Sequence, residues 1–301
     1  MIVVIIHQGP FSSSFVVDLD PDLMGPSLSA INSISDQIDG IVVTNVFGYQ
    51  SKVLEYEKWC KMNGKLLLQD NAATPIGFVS DGRCIHDVGD GSFLSLHETK
   101  PLGRGEGGAV FVDSHLMRFV DRAMNFGFNT LSVDRVPHRF ASNWRMSDFS
   151  AAPICGHLDY VVHENWVEAQ EDLLSYAISQ IELVGFRVDP KPVFPTLVSC
   201  LFVRLPKECS GASLDDIVSY LCRCSPTIEA KRYYRPLCGR EEGPVAWTVF
   251  CASICLPFHT GLTKEMIKYA VDNLRLAYDR VFEPAAEDFG GESEPRSKSM
   301  N

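Results

Sequence analysis

The sequence predicts an α/β fold, a mostly parallel, doubly wound sheet followed by a smaller α+β C-terminal domain. Three observations carry this expectation. Over the first half of the chain, short β-branched runs alternate with longer helical patterns, the order that builds parallel sheets with covering helices. Polar and charged residues fall at the C-terminal ends of those runs, where open α/β sheets bind ligands. Beyond about residue 185 the order changes: "PTLVSCLFVRL" and "WTVFCASICL" read as strands, "SLDDIVSYLC" and "TKEMIKYAVDNLRLAYD" as helices.

The elements follow in order. "MIVVIIHQGP" opens the chain with an apolar run too short for a secretory h-region and without a basic flank. "IVVTNVFG" (41–48) is a strand entering a loop. "SKVLEYEKWCKMNG" (51–64) places Val53, Leu54, Trp59 and Met62 near one face of a helix that stops at Gly64. "KLLLQ" (65–69) is a buried strand whose end delivers Asp70, followed by "NAATPIG". "SFLSLH" (92–97) ends just before Lys100, and "GAVFV" (108–112) resumes a β-like run after a glycine-rich turn. "HLMRFVDRAMNFG" (115–127) is a helix, a loop containing Pro137 follows, and one long amphipathic pattern runs on to about Val184. The expected division is a large domain over 1–165, a small one over 166–282 and a disordered tail over 283–301, rich in Glu, Ser, Pro and Gly.

Composition narrows the function. A formal net charge of -11 argues against a nucleic-acid surface, which needs clustered cations. The 46% hydrophobic content supports a buried core, and no stretch reaches the length of a membrane span. The ten cysteines show no pair-of-pairs spacing; Cys222 and Cys224, and Cys251 and Cys255, are isolated pairs. They read as reduced thiols of a cytoplasmic protein rather than a zinc site.

"SLHETKPLGRGEGGAV" (95–110) is the stretch richest in chemistry. "GRGEGG" matches G-x-G-x-x-G through Gly103, Gly105 and Gly108. A dinucleotide fingerprint must open a helix, and here a β-like run follows instead. No Lys-Ser/Thr pair follows the glycines, so a phosphate loop of the Walker type is also excluded. A lysine at the end of a buried strand can form a Schiff base with an aldehyde cofactor. Pyridoxal phosphate (PLP) enzymes also need a carboxylate at the pyridine nitrogen, which Asp70 could supply, while Ser95 could donate to the phosphate. Taken singly, the three read equally as a loop lysine, a helix-capping Asp and a turn serine.

Four stretches together give the chain a resemblance to the DegT/DnrJ-type sugar aminotransferases of the aspartate aminotransferase superfamily. They are "LLLQDNAATPIG"; "SFLSLHETKPLGRGEGGAV"; "NFGF" with "SNWRMSDFSAA"; and "KRYYRPL" with "LPFHTGLT". The similarity runs from about Phe15 to Leu276. It implies the fold type I of PLP-dependent transferases and assigns roles by position. Lys100 would anchor PLP and shuttle the proton between the substrate Cα and C4′; dehydrating relatives carry another residue there, so the lysine favours transamination. Asp70 would pair the pyridine nitrogen and Ser95 would bind the phosphate. Asn143 would reach the phosphate of a neighbouring subunit's cofactor, with Arg145 assisting, which implies a homodimer. Tyr234, Arg235 and His259 are the implied substrate contacts, with Tyr233 beside them. His97 would be structural. The implied reaction moves an amino group from an amino acid, usually glutamate, to the keto group of a nucleotide-linked sugar, in ping-pong order.

Three departures from the family pattern accompany the match. Ala73 stands where relatives place His or Gln on the cofactor face, and Ala141 replaces a glycine two residues before Asn143. The family's Gly-Thr turn and helix, whose N–H groups hold the phosphate, have no equivalent before "FVVDLD". The large domain is therefore expected to be incomplete at its N-terminus, and the alternative reading is a degenerate, non-catalytic homologue or partner subunit.

Overall fold

The structure, a computed structural model, describes residues 5–6, 14–20, 25–128, 141–206 and 211–282. The expected tail over 283–301 and the Pro137 loop lie outside the described residues.

The chain begins with β1 (Ile5–Ile6), a small antiparallel pair β2 (Leu19–Asp20) and β3 (Gly25–Pro26), and α1 (Leu28–Ser33). The Ser27 hydroxyl accepts from the Ala30 N–H and caps α1. Next come β4 (Gly40–Thr44), α2 (Val53–Asn63), β5 (Leu66–Asp70), β6 (Gly91–Ser95) and β7 (Gly108–Val112). They form a sheet in the order β1-β4-β5-β6-β7. β4, β5 and β6 are parallel, as expected from their apolar runs, and both outer strands are antiparallel. The opening run of the sequence thus adds to the β4 edge through Ile5 and Ile6.

The helix over 51–64 forms, but its buried face differs from the expected one. Val53, Tyr56 and Cys60, spaced by three and four, are buried, while Met62 is 76% exposed. With Ile31, Ile41, Val43, Leu67 and Ile85 they make the core of this half. Tyr56 donates to the Pro26 carbonyl at 2.8 Å, and burial raises its phenol pKa. α2 ends at Gly64 in the left-handed conformation, where glycine is the least strained residue.

α3 (Ser114–Met124), α4 (Asp148–His163) and α5 (Trp166–Leu183) follow. The amphipathic pattern read as continuous to Val184 is thus two helices, broken at Glu164 and Asn165, the latter left-handed at φ 49°. β8 (Arg187–Val188), β9 (Cys200–Arg204), α6 (Gly211–Cys222), α7 (Pro244–Phe250), β10 (Ser253–Pro257) and α8 (Lys264–Phe282) complete the chain. β10, β9 and β8 form an antiparallel sheet. Leu174 and Ile181 of α5, Ile217 of α6 and Leu274 of α8 close its core.

The loop between β4 and α2 joins the two halves. Phe47 and Tyr49 are buried in the second core, not the first. The Tyr49 hydroxyl donates to the Cys200 carbonyl at 3.1 Å and accepts from the Phe202 N–H at 3.2 Å. Ser199 N–H donates to the Phe47 carbonyl, and the Thr196 hydroxyl to the Gly48 carbonyl. A second tie comes from Asp18, whose carboxylate accepts from the Val245 and Ala246 N–H groups at 2.9 and 3.0 Å and caps α7. Among the described residues, no helix is long and apolar enough to cross a membrane.

Candidate functional site

The three parallel strands end at one edge, and register places their polar residues there. Thr44 pairs with Asp70, and Asp70 with Phe93. The Asp70 carboxylate is fixed from two sides: Oδ1 accepts from the Ala72 N–H at 3.0 Å, and Oδ2 from the Thr44 hydroxyl at 3.4 Å.

Beneath lies a buried polar network. Asn45 Nδ2 donates to Asn71 Oδ1 at 2.6 Å and to Gln69 Oε1 at 3.2 Å, while its Oδ1 accepts from the Ser51 N–H and hydroxyl. Asn71 Nδ2 donates to Ser92 Oγ at 2.9 Å, and His86 Nδ1 pairs with the same oxygen. Burial lowers the pKa of His86, so it stays neutral in this network. Gln69 Nε2 donates to the Ile85 and Val88 carbonyls. With each group partnered, the network fixes the loops that follow β4 and β5.

Lys100 sits at the tip of the β6–β7 hairpin. Strand-like bonds continue past both strands, from Leu96 N–H to Gly107 O and from Glu98 N–H to Gly105 O, both at 2.9 Å. The chain then doubles back: Lys100 N–H donates to His97 O at 2.8 Å, and Gly103 N–H to Lys100 O at 2.9 Å. Gly105 has φ +98°, and a Cβ at Gly103 would strike the His97 carbonyl, so the glycines serve this turn.

The turn brings Lys100 to a cavity of about 330 Å³ that is also lined by Thr44, Asp70, Ala73, Tyr234 and Arg235. Its size falls in the range of about 300–1,000 Å³ usual for small-molecule and cofactor sites. Tyr234 stacks on Phe47, with centroids 5.6 Å apart and planes at 16°. Its phenol pKa is raised by burial first, and then by neighbouring groups that include Asp70. The Arg235 guanidinium lies 5.8 Å from the Trp247 ring centre. Five of the sequence-derived positions, Asp70, Ala73, Lys100, Tyr234 and Arg235, therefore meet at one cavity.

The others fall elsewhere. His259 lines a separate cavity of about 490 Å³, which also reaches Lys100. Ser95 lines neither; its hydroxyl oxygen accepts from the His97 N–H at 3.2 Å. Asn143 and Arg145 are exposed beside each other, with Arg145 Nε donating to Asn143 Oδ1 at 3.3 Å, and a bridge to Asn125 anchors Asn143. His97 is held by Thr99 and Glu106, a structural arrangement. Thr44 and Asn45 were not singled out from sequence, although "TN" directly after "IVV" carries the same strand-end signal as Asp70. His157 and Gln170, which line the larger cavity, had no sequence signal beyond polar positions within helical patterns. No group of three or more His, Cys, Asp or Glu residues could hold a metal ion among the described residues.

Residues 4–275 match the model of the DegT/DnrJ/EryC1/StrS aminotransferase family. Over 224 residues the chain is 27% identical to a dTDP-4-amino-4,6-dideoxy-D-glucose transaminase of Shigella dysenteriae, covering 68% of this chain and 57% of that protein. Over 258 residues it is 22% identical to a UDP-4-amino-4,6-dideoxy-N-acetyl-beta-L-altrosamine transaminase of Campylobacter jejuni, covering 82% and 68%. The fold matches the PLP form of a sugar aminotransferase from Streptococcus pneumoniae with a TM-score of 0.75 at 17% identity, covering 89% of this chain and 76% of that one. The chain thus spans a little over half the length of the Shigella relative.

Proposed function

The chain belongs to the DegT/DnrJ/EryC1/StrS aminotransferase family, and on that premise we propose that it moves an amino group from an amino acid, glutamate, to the keto group of a nucleotide-linked sugar, with PLP as cofactor. The observation that carries this reading is the convergence of Asp70 and Lys100 on one cavity. The transaminase names of the relatives, on dTDP- and UDP-linked amino sugars, support the substrate class.

The residues present fit PLP. Asp70, oriented by the Ala72 N–H and the Thr44 hydroxyl, would hold the pyridine nitrogen in its protonated form. Lys100 would hold the aldehyde carbon through Nζ. Bound there, PLP supplies an electron sink for the carbon that loses its proton. Lys100 Nζ would take that proton from the donor Cα and return it at the cofactor's C4′, a base task that needs a side chain free to swing. A hairpin tip provides this, and Lys100 makes no side-chain bond among the described residues. Ser95 Oγ accepts one bond and keeps its own proton to donate to a phosphate oxygen. Ala73 gives the ring face little contact, and the half-exposed Tyr234 ring lines the same cavity. Asn143, exposed and lining neither cavity, would serve the cofactor of a second copy in a homodimer.

Purification with PLP tests the reading. The expected result is a yellow protein whose colour borohydride fixes to the Lys100 peptide, lost in Lys100→Ala and weakened in Asp70→Ala. A colourless wild type, indistinguishable from Lys100→Ala, would instead support the non-catalytic homologue.

A further inference from the structure

His97 stands at the centre of the hairpin tip that carries Lys100. The strand-like bonds beyond β6 and β7, from Leu96 N–H to Gly107 O and from Glu98 N–H to Gly105 O, set residues 97 and 106 directly opposite each other. Every polar atom of His97 has a partner. Its N–H donates to Ser95 Oγ at 3.2 Å, and its carbonyl accepts from the Lys100 N–H at 2.8 Å. Its Nδ1 meets the Thr99 hydroxyl at 2.8 Å and the Thr99 N–H at 3.3 Å, and its Nε2 lies 3.2 Å from Glu106 Oε1.

These contacts fix the tautomer. A backbone N–H can only donate, so Nδ1 is the bare acceptor. The neutral ring then carries its proton on Nε2, where Glu106 accepts it. One rigid ring thus closes the turn at Thr99 on one side and reaches across the hairpin on the other. Asn would place an acceptor where Nδ1 is, and Gln a donor where Nε2 is, but neither spans both. The His97 and Glu106 side chains are 41% and 79% exposed, so their pairing adds little to the stability of the whole chain. What it holds is local: the turn that delivers Lys100 to the Asp70 cavity. His97 itself lines neither cavity and acts only through that turn.

We propose that His97 is a positioning residue for Lys100, with Glu106 anchoring its ring, and that the pair sets how fast the lysine amine meets an aldehyde bound in the cavity. The identity of that aldehyde as PLP rests on the aminotransferase reading; the holding of the turn stands on the hydrogen bonds alone.

Timed borohydride fixation of PLP to the Lys100 peptide of the whole chain, at several PLP concentrations, separates rate from affinity. His97→Ala should lower the limiting rate about tenfold and move the half-saturating PLP concentration by less than about twofold. His97→Asn restores an acceptor for Thr99 and should recover most of the rate. Glu106→Ala should slow fixation about threefold, and Glu106→Gln, which keeps an acceptor for Nε2, should slow it less. Urea midpoints of all four variants should match the wild type. A wild-type limiting rate in His97→Ala overturns the proposal. So does a slow His97→Ala whose half-saturating concentration or urea midpoint shifts in step, or His97→Asn no faster than His97→Ala. Hydrogen exchange without PLP reads the turn directly: the Lys100 N–H should exchange faster in His97→Ala and recover in His97→Asn, and equal exchange in all three overturns the proposal. A wild type that never fixes PLP would sink the aminotransferase reading, and exchange at Lys100 would then decide alone whether His97 holds the turn.

Discussion

A single methyl group added at Gly48 should separate the two halves of the molecule. Gly48 has φ +92°, a backbone that L-residues with a Cβ avoid. A Cβ there would collide with the Leu197 carbonyl oxygen and lie 2.8 Å from Val198 Cα and 2.9 Å from the Leu197 carbonyl carbon. These are backbone atoms, so no flexible side chain can move aside. Nor can Gly48 shift freely: its N–H donates to Thr74 Oγ1 at 3.2 Å, and its carbonyl accepts from Thr196 Oγ1 at 2.7 Å. Positive φ for a residue with a Cβ costs about 1–2 kcal/mol. Displacing packed backbone adds about 1–3 kcal/mol. The sum for Gly48→Ala is about 2–5 kcal/mol, a large part of the roughly 5–15 kcal/mol that holds a typical domain. Gly64 is the control, with φ +61° and nothing within 4 Å of its added Cβ, so Gly64→Ala should lose only the conformational part, about 1–2 kcal/mol. Urea unfolding followed by circular dichroism should place Gly48→Ala at the lower midpoint. PLP affinity should fall with it, because Tyr234, which stacks on Phe47 beside Gly48, lines the same cavity as Asp70. Equal midpoints for the two variants would show that the close approach at Gly48 does not hold the halves together.

Two further perturbations test an ion pair on α2 and the polar network beneath the site. Hydrogen bonds from Arg83, at 2.9 and 2.8 Å, bring the Glu57 pKa down to about 2 from the usual 4.5. The folded-state value is the lower one, so this stabilisation is complete above about pH 4.5 and lost as the pH falls toward 2. Glu57→Gln should remove about 1–2 kcal/mol at pH 7, allowing for solvent screening, and nothing near pH 2, as measured by unfolding at both pH values; an equal effect at both would refute the pairing. Asn71→Ala leaves Asn45 Nδ2 without its 2.6 Å acceptor and Ser92 without a donor. It should cost about 2–4 kcal/mol in denaturant unfolding, and a loss below 1 kcal/mol would mean that the network relaxes around the gap.

What sequence made legible was the part of the site governed by local pattern. Asp70 follows a run of leucines that reads as a strand, and Lys100 precedes glycines that turn, so both were placed by local pattern; the strand forms, but it is buried at Leu67 and Gln69 and not along its length, with Leu66 42% exposed. The grouping of substrate residues was less legible. Tyr234, Arg235 and His259 come from one stretch of family similarity, yet the structure divides them between two cavities. The reason is topological: Tyr234 and Arg235 precede α7, which Asp18 ties to the N-terminal half, whereas His259 follows β10 toward α8. The α2 face was misplaced because Met62 is apolar, and composition weighed more than the i, i+3, i+7 spacing of Val53, Tyr56 and Cys60. The buried role of Phe47 and Tyr49 in the second core depends on contacts some 150 residues away, such as Tyr49 with Cys200, which no local pattern encodes.

Strand register sets the distance between Asp70 and Ser95. Thr44, Asp70 and Phe93 lie level across the three parallel strands, so the Thr44 hydroxyl meets the Asp70 carboxylate. Ser95 stands two residues beyond Phe93 on the same face, about 6–7 Å further along the strand direction at the usual rise per residue. Any ligand that touched both groups would have to span at least that distance. A lysine at the end of β6 would then sit too far along the strand to return to Asp70. The antiparallel β7 resolves this conflict. Ser95 pairs with Gly108, the connection folds back through the Lys100–His97 turn, and Lys100 comes to line the same cavity as Asp70 although it lies five residues beyond Ser95 in the chain. A parallel crossover after β6 would need a dozen or more residues and a helix in place of this tight return. The antiparallel reversal and the reach of the lysine are therefore one structural requirement, and the glycines at 103 and 105 are its backbone condition.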